Sequence, residues 1–214
     1  MKKIVFSVLL AIVAVMPSFA QYSGGSRATL DFFEDRYIGV RVGPSLSNLL
    51  GKGTDDLSTR VGLNIGAVVG FPLSDTTPLF FESGLFYTEK GYTFTKGGAD
   101  IKGSLCYLEL PIVFKYAYEI NEKFALQPFF GGYFSYGLGG KTKDFNSKES
   151  DDSFGHPDGL GFRRFDAGFK FGVGAQYDLF YMELGYDLGL ANVGHDEYGS
   201  VRNGALTINF GVNF

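Results

Sequence analysis

Ten charged residues recur at alternate positions among small neighbours, and they are the constellation in this sequence best placed to do chemistry: Arg41, Arg60, Glu82, Glu109, Lys115, Arg164, Asp166, Lys170, Glu183 and Asp187. Five are of each sign. Inside a narrow enclosure such a set would pair with itself, because stranding a buried charge costs several kcal/mol. A charge-paired closed lumen is therefore expected; the alternative is a narrow pore for small solutes or a proton path. Enzymatic constellations are scarce by comparison. His156 and His195 are the only histidines, and both fall among loop acids such as Asp151, Asp152, Asp158, Asp196 and Glu197. A lipid-directed hydrolase would need one of them oriented against a Ser or a carboxylate, so this remains the enzyme-class alternative. The acidic stretch 144–158 lacks the spaced oxygens and central Gly of a calcium loop. No catalytic residue, metal or cofactor is expected.

The chain that must position these charges has 214 residues, with 31 Gly, 23 Phe, 13 Tyr, no Trp and a single Cys. That composition disfavours both disorder and long helices. One cysteine, Cys106, cannot form an internal disulfide or a Cys-rich zinc site, and it is expected to face lipid as a small apolar residue. A net charge of -4 argues against nucleic acid as a partner. Residues 1–20 read as a signal peptide: Lys2 and Lys3 precede the apolar run from Ile4 to Val15, and Ser18-Phe19-Ala20 supplies a cleavage site before Gln21. Residues 21–36 are expected as a periplasmic N-terminal segment.

From Tyr37 to Phe214 apolar and polar residues alternate with period two in eight runs. The clearest are Phe165 to Tyr177, Phe180 to Leu190 and Ala205 to Phe214. Gaps alternate between long (Leu49 to Thr59, Lys90 to Gly103, Gly139 to Arg163, Asn192 to Arg202) and short (Pro72 to Pro78, Glu119 to Lys123, Asp178-Leu179). Long loops at one end and tight turns at the other describe an all-β fold, an eight-stranded antiparallel up-and-down transmembrane β-barrel over residues 37–214. A soluble lipocalin-like barrel would put the Phe and Leu face inside. The reverse is expected here, because the apolar face is uniformly large, the polar face is rich in Gly and Ser, and an eight-stranded interior is filled by few side chains.

Phe210, Val212 and Phe214 end the chain in an alternating set that resembles the signal read by the outer-membrane barrel assembly machinery. Tyr37, Tyr87, Tyr116, Tyr118, Tyr136 and Tyr177 are expected at strand ends, at headgroup level. The stretch Tyr107-Leu108-Glu109-Leu110-Pro111-Ile112-Val113-Phe114-Lys115-Tyr116, then Pro128-Phe129-Phe130-Gly131-Gly132-Tyr133, resembles the core of the PorT-like outer-membrane β-barrel family of Bacteroidetes. Phe165-Asp166-Ala167-Gly168 and Gly185-Tyr186-Asp187-Leu188-Gly189-Leu190 are similar to its later strands. The resemblance implies fold and outer-membrane location; outer-membrane lipid, the barrel assembly machinery and a protein met by the long extracellular loops are the partners expected from the lipid face, the terminal strand and the loop lengths. It implies no catalytic residue.

Register supplies a sharper expectation. Lipid-facing positions are odd before the Asp178-Leu179 corner and even after it, so a corner of two or four residues pairs positions summing to 357. Lys170 and Asp187 then become direct cross-strand neighbours in the lumen.

Overall fold

The computed structural model describes residues 36–51, 54, 57–74, 76–96, 99–144, 150–154, 161–194 and 200–214. Eleven strands form one antiparallel sheet: β1 (Tyr37–Gly51), β2 (Leu57–Pro72), β3 (Leu79–Lys96), β4 (Ala99–Tyr116), β5 (Tyr118–Asn121), β6 (Phe124–Gly139), β7 (Lys141–Asp144), β8 (Ser150–Asp152), β9 (Phe165–Tyr177), β10 (Phe180–Gly189) and β11 (Val201–Asn213). Eight of them, β1 to β4, β6 and β9 to β11, are the staves of a closed barrel. The wall closes at two seams. β1 runs along β11 from Gly39 opposite Asn213 to Gly51 opposite Val201, and β4 runs along β6 from Lys115 opposite Phe129 to Cys106 opposite Gly139. The expected signal peptide and N-terminal segment lie outside the described residues, save Arg36.

The faces sort as the alternation requires. Leu184 is 47% exposed while its neighbour Glu183 is 5% exposed, and the same inversion holds for Phe169 beside Lys170. Polar side chains fill the interior and Phe, Leu, Val and Met cover the outside. Such an arrangement is stable only where the outside medium is itself apolar, which defines a membrane-spanning barrel.

At the lower end, defined by the turns near 73–78, 122–123 and 178–179, the connections are tight. Asp178 adopts φ 52°, a left-handed conformation that Asp tolerates better than most residues. Its N–H donates to the Lys123 carbonyl (3.0 Å), tying two neighbouring turns together. This two-residue corner sets the expected register, with Tyr177 opposite Phe180 and Lys170 opposite Asp187.

The upper end departs from expectation. Leu49 to Thr59 and Lys90 to Gly103 were expected as long loops, yet β3 continues to Lys96 and β4 begins at Ala99, and β1 and β2 reach Gly51 and Leu57. The reason is local: Tyr92, Thr93 and Phe94, a β-branched and aromatic stretch suited to strand, pair with Gly103, Lys102 and Ile101 in turn. Within the expected 139–163 loop, β7 and β8 form a hairpin that extends this taller wall from the upper part of β4.

Candidate functional site: a filled polar lumen

Two clusters of buried charge occupy the barrel axis. In the lower one, Lys115 Nζ lies 2.8 Å from Glu82 and 3.5 Å from Glu183, and Arg41 reaches Glu82 at 3.6 Å. Tyrosines join them. Tyr37 donates its hydroxyl to Glu82, Lys115 donates to the Tyr181 hydroxyl (2.6 Å), and the Arg41 guanidinium stacks 3.9 Å from the Tyr181 ring centroid. A polar chain leads upward: Thr88 donates to Asn64, Asn64 to Asn209, and Asn209 to Glu183. Below lies an apolar floor of Tyr37, Val68, Phe80, Phe86 and Ala117.

The upper cluster centres on Lys90, whose Nζ is 2.9 Å from Glu109, 3.5 Å from Asp166 and 3.6 Å from Asp187. Lys170 bridges Asp187 at 2.7 Å and Glu109 at 3.3 Å. Tyr133 and Asn203 both donate to Asp166 Oδ2, and the Tyr133 ring lies 4.2 Å from the Lys90 ammonium. Above it, Phe154 meets Tyr107 edge-on, and Val193 packs on Leu49 and Val201. Both stoppers are carried by the segments that follow β8 and β10. Main-chain bonds hold them: Ser153 N–H to Gly140 O, Arg163 N–H to Val193 O, and Val193 N–H to Val201 O.

The interior holds more rings than the expectation of a small-residue lining allowed. Glycines on adjoining strands make the room. A Cβ on Gly70 would come within 2.1 Å of the Tyr37 ring, one on Gly174 within 2.1 Å of the Tyr181 hydroxyl, and one on Gly66 within 2.5 Å of Phe86. Each of these three rings takes up space beside a position without a side chain, in a barrel of a width that side chains can fill.

Residues 19–194 match the family described as "Outer membrane protein beta-barrel domain". The chain belongs to this family. It is an outer-membrane barrel, and the exposed Phe and Leu belt is its lipid face. Among solved structures it is similar to the attachment invasion locus protein Ail of Yersinia pestis (16% identity, 84% of this chain and 99% of that chain, TM-score 0.44). OprG of Pseudomonas aeruginosa (12% identity, 84% and 96%, TM-score 0.45) and the Neisserial surface protein NspA (15% identity, 84% and 97%, TM-score 0.42) are also similar. No curated protein matches the chain.

Of the ten charges singled out from sequence, Arg41, Glu82, Glu109, Lys115, Asp166, Lys170, Glu183 and Asp187 meet in the two clusters. Arg60 and Arg164 do not. They sit half-buried at the upper rim, where Arg60 donates to the Lys90 carbonyl (3.1 Å) and Arg164 to the Gly137 carbonyl (2.8 Å), because their strands have reached the mouth of the barrel. Lys90 was missed. It follows the apparent end of a strand run, yet the β3–β4 ladder continues past it without a shift and Lys90 keeps the inward parity of Glu82, Phe86 and Thr88. Gly91 beside it takes φ 151°, with the Gly103 carbonyl 2.1 Å from where a Cβ would be. Tyr37 is a correction too: it points inward onto Glu82, at 7% exposure, and not to the headgroups. Tyr116, Tyr118, Tyr136 and Tyr177 are exposed, and Tyr87 is half-buried on the outer face. Cys106 is half-buried on the outer face beside Ser104.

Phe210 and Phe214 face outward at more than half exposure, with Val212 between them on the same face. His156 and His195 lie outside the described residues. Among the described residues no group of three or more His, Cys, Asp or Glu side chains is arranged to hold a metal ion.

Proposed function

We propose that this chain is a non-enzymatic outer-membrane barrel with a closed lumen, structural or partner-binding through the segments at its upper end, which face the cell exterior. One observation carries this reading: the axis is occupied from floor to lid by ion pairs and rings, leaving the upper segments as the part free to meet another molecule. The narrower PorT-like assignment in Bacteroidetes belongs to the same proposal, supported by the Leu-Glu-Leu-Pro stretch of β4, whose Glu109 lies in the upper cluster. Export by cleavage after Ala20 and recognition of Phe210, Val212 and Phe214 by the assembly machinery complete it.

Intact cells give the test. External protease should cut within 143–158 while the remainder stays in the outer-membrane fraction with heat-dependent gel mobility. A photo-crosslinker at Lys141 should capture a defined protein or lipid adduct. Recovery in the soluble periplasmic fraction, or outside labelling of a cysteine placed at Asn121, would overturn the reading.

A further inference from the structure

We propose that the upper cluster is a binding site for one additional monovalent positive charge, a proton or an alkali ion, held among Asp166, Asp187 and Asn203. Charge balance is the first ground. Lower down, Arg41 and Lys115 face Glu82 and Glu183, two against two. Higher up, Lys90 and Lys170 face Glu109, Asp166 and Asp187, two against three, and all five are at most 5% exposed. Among the described residues, Arg60 and Arg164 are turned to main-chain carbonyls at the rim. A buried carboxylate without its counter-charge is strongly unfavourable.

Unpartnered atoms are the second ground. In the upper cluster they include three oxygens, Asp166 Oδ1, Asp187 Oδ2 and Asn203 Oδ1, on the adjoining strands β9, β10 and β11, all from residues at most 1% exposed. Lys90 Nζ stands 3.5 to 3.6 Å from both aspartates without a directed hydrogen bond to either. Among the charged side chains of the lower cluster the atoms without a hydrogen bond are donors, Nε and Nη2 of Arg41, with the neutral Asn213 Oδ1 close to that guanidinium. The remaining groups facing the site do not supply the missing charge: Tyr133 and Asn203 spend their donors on Asp166 Oδ2, and Tyr107 accepts from Asn203. One positive charge balances the cluster and engages the free oxygens. A divalent ion would overshoot by one charge.

The test uses the full chain refolded in detergent. Infrared spectra at neutral pH look for a carboxylic acid carbonyl band, and heat-modifiability gels give the melting temperature in sodium, potassium and choline buffers of equal ionic strength. A band present in all three salts, lost in Asp166→Asn or Asp187→Asn and kept in Glu183→Gln, places a proton at the site. No band, but a melting temperature raised by sodium or potassium over choline and insensitive to salt in Asp166→Asn, places an alkali ion there. In either case Asp166→Asn melts at or above the wild type, while Glu183→Gln, which unbalances the lower cluster, melts below it. Absence of both the band and the alkali response overturns the proposal. So does melting of Asp166→Asn and Asp187→Asn as far below the wild type as Glu183→Gln.

Discussion

The two halves of the lumen use the same device and reach different ends. Below, two cations meet two carboxylates, a tyrosine bridges each side, and the ladders around them run without a shift between β1, β11, β10 and β9. Above, three carboxylates crowd two lysines, and the neighbouring ladders shift register between Thr59 and Asn64 and between Cys106 and Tyr107. The unshifted β9–β10 ladder also carries Lys170 and Asp187 of the upper cluster, so the irregular wall is the opposite side, where Lys90 sits beside the slip of the β2–β3 ladder. In the proposed reading the lower half is the structural floor of the lumen. The upper half is where the register shifts lie, and such irregularities are common beside functional positions.

The largest effect should come from removing the organiser. Lys90→Met strands three carboxylates around Lys170 and is expected to lose stability at or beyond the upper end of ~3–5 kcal/mol, read as a lowered urea midpoint by circular dichroism in detergent. The chain has no Trp, so the usual fluorescence probe is absent. Glu82→Leu, which leaves Arg41 and Lys115 with only Glu183, should cost about 3–5 kcal/mol by the same measurement. An equal or smaller loss for Lys90→Met would erase the contrast between the halves. Lys170→Met and Asp187→Leu should each destabilise, with the double variant recovering a coupling of roughly 0.5–3 kcal/mol; additive losses would remove that pair from the account. Smaller still, Gly174→Val pushes a side chain into the Tyr181 hydroxyl and should cost about 1–3 kcal/mol by overpacking, while leaving the upper cluster's response to salt unchanged.

Much of this was legible in the chain because strand parity is binary. The corner at Asp178-Leu179 fixes parity for β9 and β10, and Lys170 then has one partner, Asp187, which the structure places at 2.7 Å. Parity helps only as far as a strand is followed. Reading the stretch from Lys90 onward as a loop cut β3 short, so Lys90 was missed although it has the inward parity of Thr88 and three carboxylates within 3.6 Å. Tyr37 misled for a different reason. An aromatic at a strand end suits a headgroup belt, and only the glycine opposite it, Gly70, leaves the space that draws the ring inside. Arg60 and Arg164 had the right parity at the wrong height, which alternation does not encode.

The central claim is that the lumen is filled and closed. Planar-bilayer recording of the refolded full chain tests it most directly, because the proposed closure by ion pairs and rings along the axis requires that no continuous water path exist. The account predicts bilayers that stay at baseline, with no steady unitary current in either polarity. Large, long-lived single-channel steps from the wild-type chain would contradict it and make the barrel a pore.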